Sequence, residues 1–140
     1  LVNIRCATVL YALKVFWYYL GEHFIVSQPG ENVTIWCQHT SGTGKNMHWF
    51  KQTTNSVPIA IVNMFITYQL KELHAKYLND FQQDHILMTL DIKNTSLIIL
   101  NVDVSDSGLY FCGWENRVMT FGDGTNLDIK GNLSLSVTLL

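Results

Sequence analysis

The sequence predicts an all-β fold on three observations. In short segments such as residues 33–38, apolar side chains alternate with mostly polar ones, and a period of two is that of a half-buried strand rather than a helix. Seven to nine such segments follow one another with turn-forming residues between them, which is typical of an antiparallel sandwich or barrel. The chain has 140 residues, 48% apolar and 14% charged, so it can form one domain with a full core.

The alternation places the individual strands. They are predicted to cover residues 33–38, 47–50, 57–62, 86–92, 97–100, 109–112, 118–121 and 127–129. Pro58 suits the start or edge of its strand, because proline cannot donate a hydrogen bond to a neighbouring strand. Asn94, Thr95 and Ser96 are predicted to turn the chain. Residues 67–78 are predicted to form a loop with at most one short strand, because their leucines make no continuous apolar stripe.

Charge and motifs argue against several classes of function. Nine Lys and Arg side chains oppose eleven Asp and Glu side chains, a formal charge of −2. No basic stripe is available to neutralise a run of phosphates, so we expect no nucleic-acid partner. The five histidines show no HExxH spacing, and the chain has no Gly-x-Ser-x-Gly elbow. We therefore predict that the protein is not an enzyme and has no catalytic residue, metal or cofactor.

The two ends of the chain differ from its middle. Residues 1–21 are largely apolar, carry one early cation, Arg5, and are interrupted by Lys14. They fit a signal peptide, whole or damaged, and the alternatives are a short membrane anchor or non-native sequence; they are too short and too charged for a spanning helix. We expect a globular domain over residues 22–130 and a tail of unassigned role over residues 131–140.

Three cysteines and three glycosylation sequons bear on the compartment. Cys6 lies in the apolar segment, whereas Cys37 and Cys112 are 75 positions apart in the domain. A bridge between the latter two would stabilise the fold by roughly 4–5 kcal/mol; the alternative is two buried thiols. Sequons for N-glycosylation begin at Asn32, Asn94 and Asn132. Together these features favour an oxidising, extracellular setting.

A combined pattern of residues identifies the architecture. Trp49 follows Cys37 by twelve positions, and Tyr110 precedes Cys112 by two within Asp-Ser-Gly-Leu-Tyr-Phe-Cys, residues 106–112. Residues 121–125, Phe-Gly-Asp-Gly-Thr, match the bulge of joining segments in antigen receptors. Over residues 22–130 the chain therefore resembles an immunoglobulin domain of the variable type. It is most similar to novel immune-type receptors of bony fishes, and next to T-cell-receptor and light-chain variable domains.

The resemblance implies a specific core. It implies about nine strands in two antiparallel sheets, joined by a Cys37–Cys112 disulfide, with the Trp49 indole against the bridge. Tyr110 and Asp106 would form the corner that precedes the second cysteine. Variable domains usually supply an arginine to pair with this aspartate, but here Asp80 and Phe81 stand at that place. The expectation is that Lys76 replaces the arginine, or that the pair is absent.

The resemblance also implies a ligand-binding end built from three loops. In this sequence they correspond to residues 39–46, 63–76 and 113–120. The predicted contact residues are Thr43, Lys45, Trp114, Glu115, Asn116, Arg117 and Met119. Tryptophan and arginine commonly anchor interfaces. The alternative is that Trp114 packs back on the sheet and Glu115 pairs with Arg117.

A second predicted surface is a dimer face. Because Trp49, Tyr110 and Cys112 point into the core, Phe50, Gln52 and Phe111 point outward from the same sheet. With Phe121 they form the face through which variable domains pair, and a homodimer or a heterodimer is expected unless the second loop covers the rings.

These features predict an extracellular immune recognition domain that binds a protein or cell-surface ligand, as the ectodomain of an innate-type receptor or as a secreted protein. The alternatives are a rearranging antigen-receptor chain and a homophilic adhesion module. Contact with a membrane is expected only through a segment outside these 140 residues.

Overall fold

The computed structural model describes residues 23–39, 45–67, 73–91 and 93–131. These residues form nine strands and one short 3-10 turn, Val104–Asp106. The strands are β1 (His23–Ser27), β2 (Val33–Gln38), β3 (Asn46–Gln52), β4 (Ile59–Phe65), β5 (Lys76–Tyr77), β6 (Ile86–Leu90), β7 (Asn94–Ile99), β8 (Gly108–Asn116) and β9 (Val118–Ile129). The all-β prediction is confirmed.

The strands form two sheets that face each other across the core. A six-stranded sheet has the order β1-β9-β8-β3-β4-β5, and a three-stranded sheet has the order β2-β7-β6. All pairs are antiparallel except β1 with β9, which is parallel. The Cys37–Cys112 disulfide joins β2 of the small sheet to β8 of the large one, with the two Cα atoms 6.3 Å apart. The predicted inter-sheet bridge is therefore present.

The core hallmarks occupy the predicted places. Trp49 and Tyr110 are completely buried between the sheets. The indole Nε1 of Trp49 donates a hydrogen bond to Thr95 Oγ1 at 3.0 Å, so its polar atom is satisfied inside the core. The rest of the core consists of the inward-facing residues of both sheets, among them Ile35, Met47, Ile61, Ile86, Leu97 and Ile99.

Several strands differ from the sequence prediction: β1 is an additional strand, and the segments predicted at residues 118–121 and 127–129 form one strand, β9. β4 starts at Ile59 rather than at Val57, whose side chain is 76% exposed before Pro58. The prediction of a turn at Asn94–Ser96 is wrong, because β7 already begins at Asn94. The Asp91 carboxylate accepts hydrogen bonds from the backbone N–H groups of residues 93 and 94. These hydrogen bonds complete the turn before residue 94, so Asn94 is already part of the strand.

The corner before the second cysteine contains an unexpected histidine. The buried Asp106 carboxylate accepts the backbone N–H of Asp103 at 2.8 Å and lies 2.7 Å from Nε2 of His85. Tyr110 donates its hydroxyl to the carbonyl of Asp106 at 2.6 Å, which confirms the tyrosine corner. Lys76 is exposed on β5 instead. The expectation for Lys76 is thus corrected: the turn before β6 brings His85 to the carboxylate.

Candidate functional site

The β8–β9 hairpin forms an exposed part of the loop end. Asn116 and Val118 pair directly, which leaves Arg117 at the apex with a φ of 65°. Every residue from 115 to 120 is exposed. Below the tip, Cys112 fixes β8 to the opposite sheet, so the hairpin projects from a rigid base. Glu115, Asn116 and Arg117 are therefore available to a ligand.

Trp114 takes the opposite orientation. Strand alternation turns its side chain inward, and it is only 9% exposed, in the core cluster. Its ring lies 6.3 Å from the ring of His39, and its β3 neighbour is the buried Met47. The expectation that Trp114 presents its indole to a ligand is corrected, because the indole is packed between the two sheets and is not accessible. The indole supports the hairpin from below.

A row of side chains crosses the top of the large sheet. Strand register aligns Phe65 of β4, Asn46 of β3, Glu115 of β8 and Met119 of β9. Phe65 is 50% exposed and Met119 is 37% exposed. This row, the loop-end row, adds an apolar rim on either side of the Glu115 carboxylate.

The first and second loops are tied together beside this row. Lys45 is half-buried, and its carbonyl accepts the backbone N–H of Ile66 at 2.8 Å. The predicted contact residue Thr43 lies outside the described residues. Lys45 is thus placed at the loop end by the backbone, with the second loop beginning next to it.

Two histidines lie beneath the loop end. Burial lowers the pKa of His48, and the Glu115 carboxylate, 3.8 Å from its Nε2, opposes the shift. Burial also lowers the pKa of His39, and the backbone carbonyl of Asp91, 3.0 Å from its Nε2, opposes it. Both rings therefore favour the neutral form in the folded domain.

An aromatic face covers the outer side of β3, β8 and β9. It consists of Phe50, Phe111 and Phe121, with ring centroids 5.3–5.7 Å apart, in stacked and edge-on contacts. Phe121 is 57% exposed. Gly113 forms the floor, since a Cβ there would lie 3.0 Å from the Phe121 ring and 3.1 Å from the Phe50 ring. The rings therefore close over a strand position that has no side chain.

Gln52 lies at the lower end of this face. Its Nε2 donates to the carbonyl of Ser56 at 3.1 Å, so the amide supports the β3–β4 turn of its own chain. Of the three predicted glycosylation sites, Asn32 is exposed, Asn94 is half-buried on β7, and Asn132 lies outside the described residues.

Within residues 23–39, 45–67, 73–91 and 93–131, no group of three or more His, Cys, Asp and Glu side chains could hold a metal ion. The same residues contain no helix with the length and apolar character needed to cross a membrane.

The fold and its loop end agree with a known family. The family model of the immunoglobulin V-set domain matches residues 21–130. The chain belongs to the immunoglobulin V-set family. The match contains both disulfide cysteines, the tyrosine corner and the whole β8–β9 hairpin.

Several immune receptors are similar to this V-set domain. The human T cell receptor alpha chain MC.7.G5 is 28% identical over 110 residues, which are 76% of this chain but only 38% of that receptor chain. The extracellular fragment of novel immune-type receptor 11 from Ictalurus punctatus is 28% identical, with a TM-score of 0.63 over 76% of this chain and 96% of the fragment. The swine CD8αα homodimer, at 21% identity and a TM-score of 0.66 over 78% of this chain and 94% of its own, shares the fold.

Sequence reasoning did not find the roles of His48 and His85. For His48 a signal was present, because alternation places it on the same outer face as Phe50, and the rings stack 5.8 Å apart. For His85 the chain gives no local signal, because its partner Asp106 is 21 residues away.

Proposed function

We propose that this V-set domain is the extracellular recognition domain of an innate-type immune receptor, either a plasma-membrane ectodomain or a secreted protein. It binds a protein or cell-surface ligand through its loop end and performs no catalysis. The observation that carries the proposal is the exposed tip of the β8–β9 hairpin, residues 115–120, on strands that the disulfide and Trp114 hold in place. Rigid strands that present exposed loops suit recognition, because little order has to be gained on binding.

The chemistry of the tip suits a protein surface. Arg117 offers a fork of five donors, Glu115 offers a carboxylate, and Met119 and Phe65 add apolar area beside them. A charged centre with an apolar rim is complementary to the mixed surface of a folded partner.

A binding experiment tests the proposal. The chain, biotinylated and assembled into fluorescent tetramers, is used to stain a panel of leukocytes and epithelial cells. The test variant is Arg117→Asn, since asparagine tolerates a positive φ and keeps the turn. We expect Arg117→Asn to weaken staining about tenfold or more, the effect of losing an anchor residue.

The matched control is Lys130→Asn, which removes the same charge at the opposite end of β9, where Lys130 is exposed. It should stain as the wild type does. Equal loss in both variants would contradict a loop-end site, and absence of staining on every cell type would contradict recognition itself.

A second candidate function, pairing through the aromatic face, rests on its own observation. Phe121 is more than half exposed beside Phe50 and Phe111, and together they form an apolar patch of the kind that marks interfaces. The swine CD8αα structure, named as a homodimer, has the same fold. We infer that two V-set domains, either two copies of this chain or this chain and another, pair through these rings.

Sedimentation velocity at rising concentration tests homodimer formation. The wild type should sediment faster as concentration rises, whereas Phe121→Ser should remain a monomer. The control Val26→Ser changes an apolar side chain that is 64% exposed on β1, away from the rings, and should associate as the wild type does. Association that survives Phe121→Ser would contradict the assignment of this face, and a monomeric wild type would leave only pairing with a different chain.

Two other interpretations make different predictions. A rearranging antigen-receptor chain requires germline DNA that is interrupted within the codons for residues 112–130, whereas an innate receptor requires continuous codons. A homophilic adhesion module requires cell–cell adhesion that Arg117→Asn leaves intact. Germline sequencing and a cell-aggregation assay therefore separate both from the proposed receptor.

A further inference from the structure

The outer face of the small sheet carries an exposed indole. Trp36 lies on β2, an edge strand of the β2-β7-β6 sheet, with 66% of its surface exposed. Strand alternation puts the half-buried Ile98 of β7 and Leu87 of β6 on the same side. An apolar patch of this kind on a folded domain calls for something that covers it.

A glycosylation sequon lies on the same face. Asn94, Thr95 and Ser96 form the sequon, and Asn94 opposes Gln38 while Ser96 opposes Trp36. Thr95 is completely buried, so its neighbour Asn94 points to the outer side. Asn94 and Trp36 are therefore diagonal neighbours across two strands, with Cα atoms about 7–8 Å apart.

The backbone holds Asn94 in this orientation. Its N–H donates to the carboxylate of Asp91 at 2.6 Å, and its carbonyl accepts the N–H of Asp91 at 2.9 Å. The Asn94 side chain therefore projects from a backbone position that these two hydrogen bonds fix.

We propose that Asn94 carries an N-linked glycan whose first N-acetylglucosamine lies against the indole of Trp36. In the transfer, Nδ2 of Asn94 forms a bond to the anomeric carbon of the sugar. The bond from that carbon to the pyrophosphate of a lipid-linked oligosaccharide breaks, and Nδ2 gives up one of its two protons. The lipid pyrophosphate is the leaving group. The proposal uses the secretory setting of the proposed function, but no part of its ligand-binding site.

The contact is favourable for both partners. One face of the sugar ring presents C–H groups, which displace water from the flat indole, while its hydroxyl groups stay in solvent. The glycan thereby covers the apolar patch and keeps the three-stranded sheet from associating through it.

The sequon at Asn32 provides an internal comparison. Asn32 precedes β2 and is four residues from Trp36, which corresponds to about 13 Å along an extended strand. Its Oδ1 accepts the backbone N–H of Asn101 at 2.9 Å, which directs the side chain toward the opposite end of the sheet. A first sugar on Asn32 is therefore out of reach of the indole.

The experiment follows Trp36 in one protein whose glycan is trimmed stepwise. The full chain is fused to a secretory leader and expressed in mammalian cells that make only oligomannose glycans, with Asn32→Gln and Asn132→Gln so that Asn94 is the remaining sequon. Peptide mass spectrometry measures occupancy at Asn94. Hydroxyl-radical oxidation of Trp36 is then compared in the intact protein, after endoglycosidase H, which leaves one sugar, and after PNGase F, which leaves none.

We expect Asn94 to be occupied, and Trp36 to be oxidised several-fold faster only after PNGase F. Asn94→Gln should match the PNGase F form, which excludes an effect of the aspartate that this enzyme creates. In the matched control, which keeps Asn32 and carries Asn94→Gln and Asn132→Gln, PNGase F should leave the oxidation of Trp36 unchanged. An unoccupied Asn94 would overturn the proposal, and so would equal oxidation of Trp36 in all three forms. Loss of ligand binding in Arg117→Asn has no bearing on either result.

Discussion

At the scale of single residues, the most informative difference from other variable domains is the partner of Asp106. In variable domains an arginine usually serves this buried aspartate, whereas here His85 lies 2.7 Å from the carboxylate and is itself part-exposed. Lys51, also close to this corner, donates instead to the carbonyl of Ser105 at 2.7 Å, and burial lowers its pKa against the opposing charge of Asp106. The corner is therefore held by a histidine, a lysine and a tyrosine that reach it from three different strands or turns.

His85→Ala tests this assignment. It removes a side chain that contacts the buried carboxylate, and we expect the free energy of unfolding to fall by about 1–3 kcal/mol. Lys76→Ala is the control, because Lys76 is exposed on β5 and should change stability by less than about 0.5 kcal/mol. Urea denaturation at pH 7 measures both. A larger loss for Lys76→Ala than for His85→Ala would restore the lysine as the partner.

At the scale of elements, β9 depends on one bulge. Residue pairing with β8 shifts between Phe111 and Gly113, so two residues of β9, Gly122 and Asp123, oppose Cys112 alone. A Cβ on Gly122 would lie 2.6 Å from Cys37 Sγ and 2.8 Å from Cys112 Sγ. The glycine is thus required where the strand passes over the disulfide, and it allows β9 to run unbroken from the loop end to the opposite end of the sheet.

Gly122→Ala should therefore overpack the bridge. We expect a loss of about 1–3 kcal/mol in the free energy of unfolding, because backbone and disulfide must move apart to admit the methyl group. Gly131→Ala is the matched control, since the nearest atom to its added Cβ is 3.8 Å away. Denaturation under oxidising conditions gives the comparison. Equal stability of the two variants would show that the strand passes the disulfide at a greater distance.

At the scale of the whole molecule, buried histidines couple stability to pH. Burial lowers the pKa of His39 and of His48 below the ordinary value of 6.5. The unfolded chain therefore takes up protons on these rings at a higher pH than the folded chain does, so acid favours unfolding. A second loss of stability begins at lower pH, because the backbone N–H groups of Asn94 and Lys93 hold the pKa of Asp91 below its ordinary 3.8.

We expect the free energy of unfolding to decrease as pH falls from about 7 through 6.5 toward 5, above the pH range in which Asp91 contributes. Urea titrations at closely spaced pH values measure this slope. The double variant His39→Gln with His48→Gln should flatten it, whereas His23→Gln, on an exposed side chain of β1, should not. A wild-type stability that rises between pH 7 and 5 would have the opposite sign and would contradict the burial of both rings.

Some features of this domain could be predicted from its sequence, and others could not. Most strands were predictable, because period-two alternation is a local signal, whereas the Cys37–Cys112 bridge, Trp49 and the tyrosine corner followed from the resemblance to variable domains. The start of β7 was missed, since three polar residues in a row look like a turn until Thr95 is seen to bond the Trp49 indole inside the core. The location of the loop end was predicted, but the exposure of its individual side chains was not.

By itself, the sequence determined the two-sheet V-set architecture and the glycine bulge, because both depend on residue types at set intervals along the chain. Only the tertiary structure decided that Trp114 supports the hairpin from inside, that His85 rather than Lys76 serves Asp106, and that Trp36 and Asn94 share one face. Each of these depends on which surfaces meet when distant strands pack, and burial and register across strands fix that outcome.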